Sequence, residues 1–205
     1  MTRKTYASIG LASAVLFWTT YLIMSYLRPE YQFLYKAVSE LGSVDAPNKW
    51  IWNVLGYILP GILISIYSVG LFKDVSANQG NKWPLIGLAG SGLLMSLAGI
   101  FPGDFDNRQS LTMLLHSLGS FGSYVLFLVA AFTFPGRMAQ SNYWKASGRP
   151  TLAFTWLSIL FGSWPFLFPS MPAAGQRLVF LFYFAWIVYT AIKLWQRGEE
   201  SVGNR

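Results

Sequence analysis

Residues 111–134 read LTMLLHSLGSFGSYVLFLVAAFTF, 24 residues without Asp, Glu, Lys or Arg. At about 1.5 Å per residue a helix of that length reaches roughly 36 Å, enough to cross a hydrocarbon layer about 30 Å thick. Inside lipid no water takes up the backbone N–H and C=O groups, and a helix satisfies them within one segment. Five more apolar stretches flank it: Tyr6 to Leu27, Trp50 to Phe72, Trp83 to Phe101, Leu152 to Phe168 and Leu178 to Trp195. Lys193 is the one charged residue inside any of them. The pattern predicts an all-α polytopic membrane bundle of six transmembrane helices, with residues 1–205 forming a single transmembrane domain.

Charge counting orients this bundle. Lys and Arg near helix ends are retained on the cytoplasmic side. The N-terminus, the second and fourth loops and the C-terminal tail carry ten of the 15 basic residues, and the first, third and fifth loops carry five. Both termini are therefore expected in the cytoplasm. Trp50, Trp52, Trp83 and Trp195 fall at segment ends, where indole rings favour the headgroup zone, and Trp144 in the fourth loop is expected to touch headgroups as well.

Composition narrows the chemistry. The net charge of +7 is scattered over helix ends rather than gathered on one face, which favours contact with anionic lipid and excludes nucleic acid as the expected partner. Without cysteine there are no disulfides and no thiolate chemistry, and a single histidine excludes histidine-rich metal sites. No cofactor and no metal are expected, and membrane lipids are the expected partners.

The unusual residues gather in the outer loops. In the first of these, Leu34, Ala37, Val38 and Leu41 recur at helical spacing between Pro29 and Gly42. The spacing predicts a short amphipathic helix on the outer membrane surface, with Lys36, Ser39 and Glu40 facing water or the mouth of the bundle. The third loop reads FPGDFDNRQ and places Asp104, Asp106 and Arg108 within a few residues. This is either a solvated turn begun by Pro102 and Gly103 or a cluster able to recruit a cation or a polar headgroup. Arg177, at the start of the last helix, can meet phosphate or snorkel to the interface.

Ionisable residues within a membrane are costly and face the protein interior. His116 is such a residue. It shares one face of its helix with Gln109, Thr112, Gly119, Ser120 and Ser123, a stripe of polar and small side chains. Asn53 lies at the same expected depth and is its expected buried partner. Pro60 predicts a kink in the second helix. In the third, Gly87 with Ser91 and Gly92 with Ser96 predict close backbone packing.

The SELG of Ser39 to Gly42, Asn53 and Gly56, the GIFP of Gly99 to Pro102, and His116 occur in an order that resembles the membrane family catalogued as domain of unknown function 998. That resemblance covers roughly residues 10 to 195 and implies a fold and a lipid setting. A more remote similarity, carried by Ser39, Gly42, Phe105 and His116, is to the damage-regulated autophagy modulator-like membrane proteins, and it implies a six-helix fold with a role in lipid organisation.

Two functions follow. In the first, the protein binds a lipid or other amphiphile in an outward-facing intramembrane cavity, with candidate contacts His116, Asn53, Glu40, Ser39, Asp104, Asp106, Arg108 and Arg177. In the second, a membrane-embedded lipid hydrolase or transferase uses His116 with Asp104 or Asp106, and then the pair must lie within hydrogen-bond reach.

Overall fold

The computed structural model describes residues 1–75 and 80–203, with side chains up to 199. Among the described residues the chain is all helical and contains no strand. The helices are α1 (Arg3–Tyr26), α2 (Lys49–Val75), α3 (Trp83–Ile100), α4 (Leu111–Met138), α5 (Gly148–Gly162), the single-turn α6 (Trp164–Leu167) and α7 (Ala174–Gly203). Five of them, α1, α2, α3, α4 and α7, are long and apolar enough to cross a membrane, which suits an integral membrane protein.

Local chemistry sets the boundaries. The hydroxyl of Thr2 accepts from the amide of Thr5, and that of Ser110 from the amide of Met113, capping α1 and α4 at their first turns. α4 runs on through Pro135 to Met138, four residues beyond the stretch that the sequence predicts. The fifth stretch is broken rather than continuous. Pro165 has no N–H to bond the carbonyl of Phe161, so α5 stops at Gly162 and α6 begins afresh at Trp164.

Pro60 acts on α2 in the same way. The turn before it, Asn53–Ile58, is a π-helix, and Gly56, whose carbonyl would meet the proline ring, lies inside that wider turn. Two residues before the proline, the carbonyl of Ile58 also accepts from the hydroxyl of Ser96, at 2.9 Å. The disturbance expected at Pro60 thus takes the form of a π-turn tied to α3.

Small residues let three backbones touch. A Cβ added to Gly92 would strike the carbonyl of Gly61, and one added to Gly61 would strike that of Gly92, which brings α2 against α3. On the other side of α3, a Cβ on Gly87 would lie 2.7 Å from both the amide nitrogen of Ala130 and the carbonyl oxygen of Leu126, and one on Gly119 would lie 2.6 Å from the amide nitrogen of Ala98. Hydroxyls stitch the same seams: Ser65 donates to the carbonyl of Ala89, and Ser91 bonds both Ser123 and Tyr183. The α3 stripe is packing, as its spacing predicts. Behind it, α1 packs on α2 and α7, α5 packs on α7, and Phe17, Trp52, Tyr57, Phe180 and Phe184 fill the space between α1, α2 and α7.

Both termini lie at one end of the bundle. The carboxylate of Asp74, 3 % exposed, accepts from Arg3 at 2.5 Å, from Arg197 at 3.1 Å and from the indole of Trp144 at 2.8 Å. We call this end the terminal face and the opposite end the far face. Trp144 is fully buried, which corrects the expected headgroup contact: its indole N–H is drawn to a buried carboxylate rather than to lipid.

The amphipathic helix expected before Gly42 is reduced to a single 3-10 turn, Val38–Gly42. Its Val38, Ser39, Leu41 and Gly42 are buried, so it is tucked into the far end of the bundle instead of lying on a surface. Residues 29–38 spend their backbone groups on turns and on the start of α7, where the amide of Val38 donates to the Gln176 side chain and, just before the helix, the amide of Ala173 donates to the carbonyl of Leu34.

Candidate functional site on the far face

The imidazole of His116 is 4 % exposed and faces the bundle. Its Nδ1 lies 2.9 Å from the carbonyls of both Ala98 and Phe101, so this nitrogen carries the proton and donates. The helical donor for Ala98 would be residue 102, a proline without an N–H, and His116 supplies the missing bond at the end of α3. Nε2 is left to the hydroxyl of Ser120, at 3.4 Å. Gly103 packs beside the ring, since a Cβ there would lie 3.4 Å from His116 Cδ2 and 2.7 Å from the Phe105 ring.

Asn53 is also buried, but its partner is not His116. Its side-chain amide donates to the carbonyl of Gly42 at 2.9 Å, pinning the 3-10 turn onto the π-turn of α2. A Cβ on Gly42 would collide with Asn53 Oδ1 and lie 2.5 Å from the Trp52 ring, so this approach requires glycine. The two expected partners therefore serve different backbones. Ser39 is buried in the turn that Asn53 holds, and Glu40 folds its carboxylate back onto the amide of Ala37, at 2.7 Å.

The third loop holds its acids apart from the imidazole. Asp104 accepts from the amide of Asn107 at 2.9 Å, Asp106 and Arg108 are exposed, and the carbonyl of Gly103 accepts from the amide of Val44. No hydrogen bond joins His116 to Asp104 or Asp106 among the described residues. Nor do those residues contain a group of three or more His, Asp or Glu able to hold a metal ion.

Arg177 is set in a cage that sequence reasoning missed. Its Nε donates to the hydroxyl of Tyr21 at 2.8 Å, Nη1 to the carbonyl of Ala173 at 2.7 Å, and Nη2 to the hydroxyl of Tyr31 at 2.6 Å and the carbonyl of Lys36 at 2.8 Å. The rings of Tyr31, Tyr21 and Phe33 surround the guanidinium, at 5.4, 5.9 and 5.9 Å from centroid to Cζ. Burial pushes the Tyr31 phenol well above its ordinary pKa, with Arg177 opposing the rise, so it stays protonated and donates to the carbonyl of Ala37. The aromatic run from Tyr26 to Tyr35 is the signal in the sequence that points here.

The same rings wall a groove of about 420 Å³, lined by Tyr21, Leu22, Ser25, Tyr26, Tyr31 and Phe33. It lies at the far end of α1. Beside it, Arg28 pairs with Glu30 at 2.6 Å, and this arginine holds the Glu30 carboxyl below its usual range.

The family described as Protein of unknown function (DUF998) matches residues 11–193, nearly the whole chain. The protein belongs to this DUF998 family. That description attaches no activity to the family. Comparison with curated proteins gives no match, and comparison with solved structures gives none either.

Proposed function

We propose that this DUF998 protein is a six-span membrane protein, with both termini in the cytoplasm, that binds an amphiphile in the far-face groove between α1 and the first far-face loop. The shared position of the termini supports an even number of crossings, because Asp74 bonds Arg3 at one end of the chain and Arg197 at the other. α5 supplies the sixth crossing. Its 15 residues rise roughly 22 Å, and α6 extends it toward the far face. The ten-to-five excess of basic residues at the terminal end supports the orientation.

One observation carries the binding reading: a groove of about 420 Å³ with apolar walls is set against a caged arginine at the end of a membrane-spanning helix. That volume lies in the range of small-molecule sites, and mostly apolar walls carrying a few hydroxyls, those of Tyr21, Ser25, Tyr26 and Tyr31, match their composition. His116, Asn53, Ser39 and Glu40 act here as framework, holding α3 and the first far-face loop in place, and Arg177 backs the groove wall through the hydroxyls of Tyr21 and Tyr31.

Leu22 lines the groove and is 62 % exposed, so a larger side chain there fills the space without entering the core. Native mass spectrometry of gently solubilised protein is expected to show a retained amphiphile on the wild type and its loss from Leu22→Trp. Equal retention by the two proteins rejects the groove as the site.

A further inference from the structure

Resting on the reading that an amphiphile occupies the groove, we infer that its headgroup is anionic, a lipid phosphate without a compensating amine, recognised by Tyr21 and the Arg177 charge behind it. Arg177 stands in the first turn of α7, a helix of 30 residues whose N-terminal dipole is itself positive. That turn contains no acidic residue, and none of the ion pairs among the described residues involves Arg177. Its bonds all run to neutral oxygens: two tyrosine hydroxyls and two backbone carbonyls. The aromatic faces spread this charge but do not cancel it. An anion in the groove does.

The contact runs through Tyr21. Its oxygen accepts from Arg177 Nε, which makes its own O–H a stronger donor, and no bond from that O–H is found among the described residues. The Tyr31 hydroxyl is by contrast committed to the carbonyl of Ala37. No Asp or Glu lines the groove, and the nearby Glu30 is held by Arg28. A headgroup amine would bring a positive charge toward Arg177 and the α7 N-terminus without meeting a carboxylate. The ligand is a lipid rather than free phosphate because the apolar surface continues along α1 through exposed Leu22, Ile23, Tyr26 and Leu27, and Tyr26 is 87 % exposed. An inorganic ion would leave that surface uncovered.

The test uses the full-length protein in phosphatidylcholine nanodiscs containing a minor fraction of phosphatidylglycerol, with retained lipids counted by native mass spectrometry. One charge-assisted hydrogen bond predicts about tenfold enrichment of phosphatidylglycerol over the bulk mixture. Arg177→Gln is expected to abolish the enrichment and Arg177→Lys to keep part of it. Should Arg177→Gln fail to fold, Tyr21→Phe decides, since it deletes one oxygen and keeps the ring, and it is expected to lose most of the preference. Retained lipids that mirror the bulk overturn the headgroup inference and leave the amphiphile reading standing, whereas a wild type with no retained lipid removes both. Enrichment unchanged in Arg177→Gln and Tyr21→Phe overturns the site. Release of phosphatidylglycerol by added inorganic phosphate reassigns the groove to a free anion and overturns the lipid.

Discussion

At the scale of single residues, the far face is organised by side chains that complete broken backbone hydrogen bonding. Pro102 ends α3 and leaves Ala98 without a helical donor, and His116 reaches across from α4 to supply one. His116→Ala should orphan that carbonyl and open a void beside Gly103 and Tyr57. A loss of about 2–4 kcal/mol is expected, read as a lower unfolding temperature in detergent. Lipid retention by the protein that remains folded should not change, because the groove lies against α1. A variant as stable as the wild type would show that Ala98 and Phe101 find other donors. That His116 is buried and faces inward was legible from its place in a polar stripe on an apolar helix. Its partners were not, because two backbone carbonyls carry no residue-type signal. Asn53 illustrates the same limit: its burial was readable, and its bond to Gly42 was not.

At the scale of elements, contact between helices is decided by glycine. α2 and α3 meet where Gly61 and Gly92 face each other's carbonyls, and Ser65 and Ser96 bond across the same seam. Gly92→Leu is expected to force these backbones apart, at a cost of 3 kcal/mol or more on the order-of-magnitude scale of overpacking, seen as loss of the monodisperse peak on size exclusion. A well-folded variant of wild-type stability would mean that the seam can open cheaply. The spacing of Gly87, Ser91, Gly92 and Ser96 announces this contact in the sequence. The first far-face loop shows the opposite case, where helical spacing at Leu34, Ala37, Val38 and Leu41 gives one 3-10 turn. There the backbone is recruited by tertiary partners, Gln176 above all, and local periodicity loses to them.

At the scale of the whole molecule, Asp74 ties together the first helix, the last helix and the loop before α5. This buried carboxylate sits two residues beyond the apolar stretch and gave no sign in the sequence of the basic groups that converge on it. The arrangement makes the proposed orientation testable, because the chain has no cysteine of its own. Single cysteines at Thr2 and at the exposed Asn107 should behave oppositely in intact cells. A membrane-impermeant thiol reagent is expected to label Asn107→Cys directly and Thr2→Cys only after permeabilisation. The reverse pattern would invert the topology and place the groove in the cytoplasmic leaflet, and labelling of both from outside would remove the six-span arrangement.

The amino-acid sequence alone determined that this protein is a bundle of apolar helices, where most of those helices lie, and that His116 and Asn53 turn inward. Those properties follow from hydrophobic run length, helical periodicity and the cost of burying charge, all of which act along the chain. The tertiary structure alone decided which inward groups meet, where the fifth helix breaks, and that Arg177 gathers Tyr21, Tyr31 and Phe33 at the wall of a groove. These depend on the order and rotation of helices around one another, set by close approach at glycine and by hydrogen bonds to backbone carbonyls, which are the same at every position in a sequence.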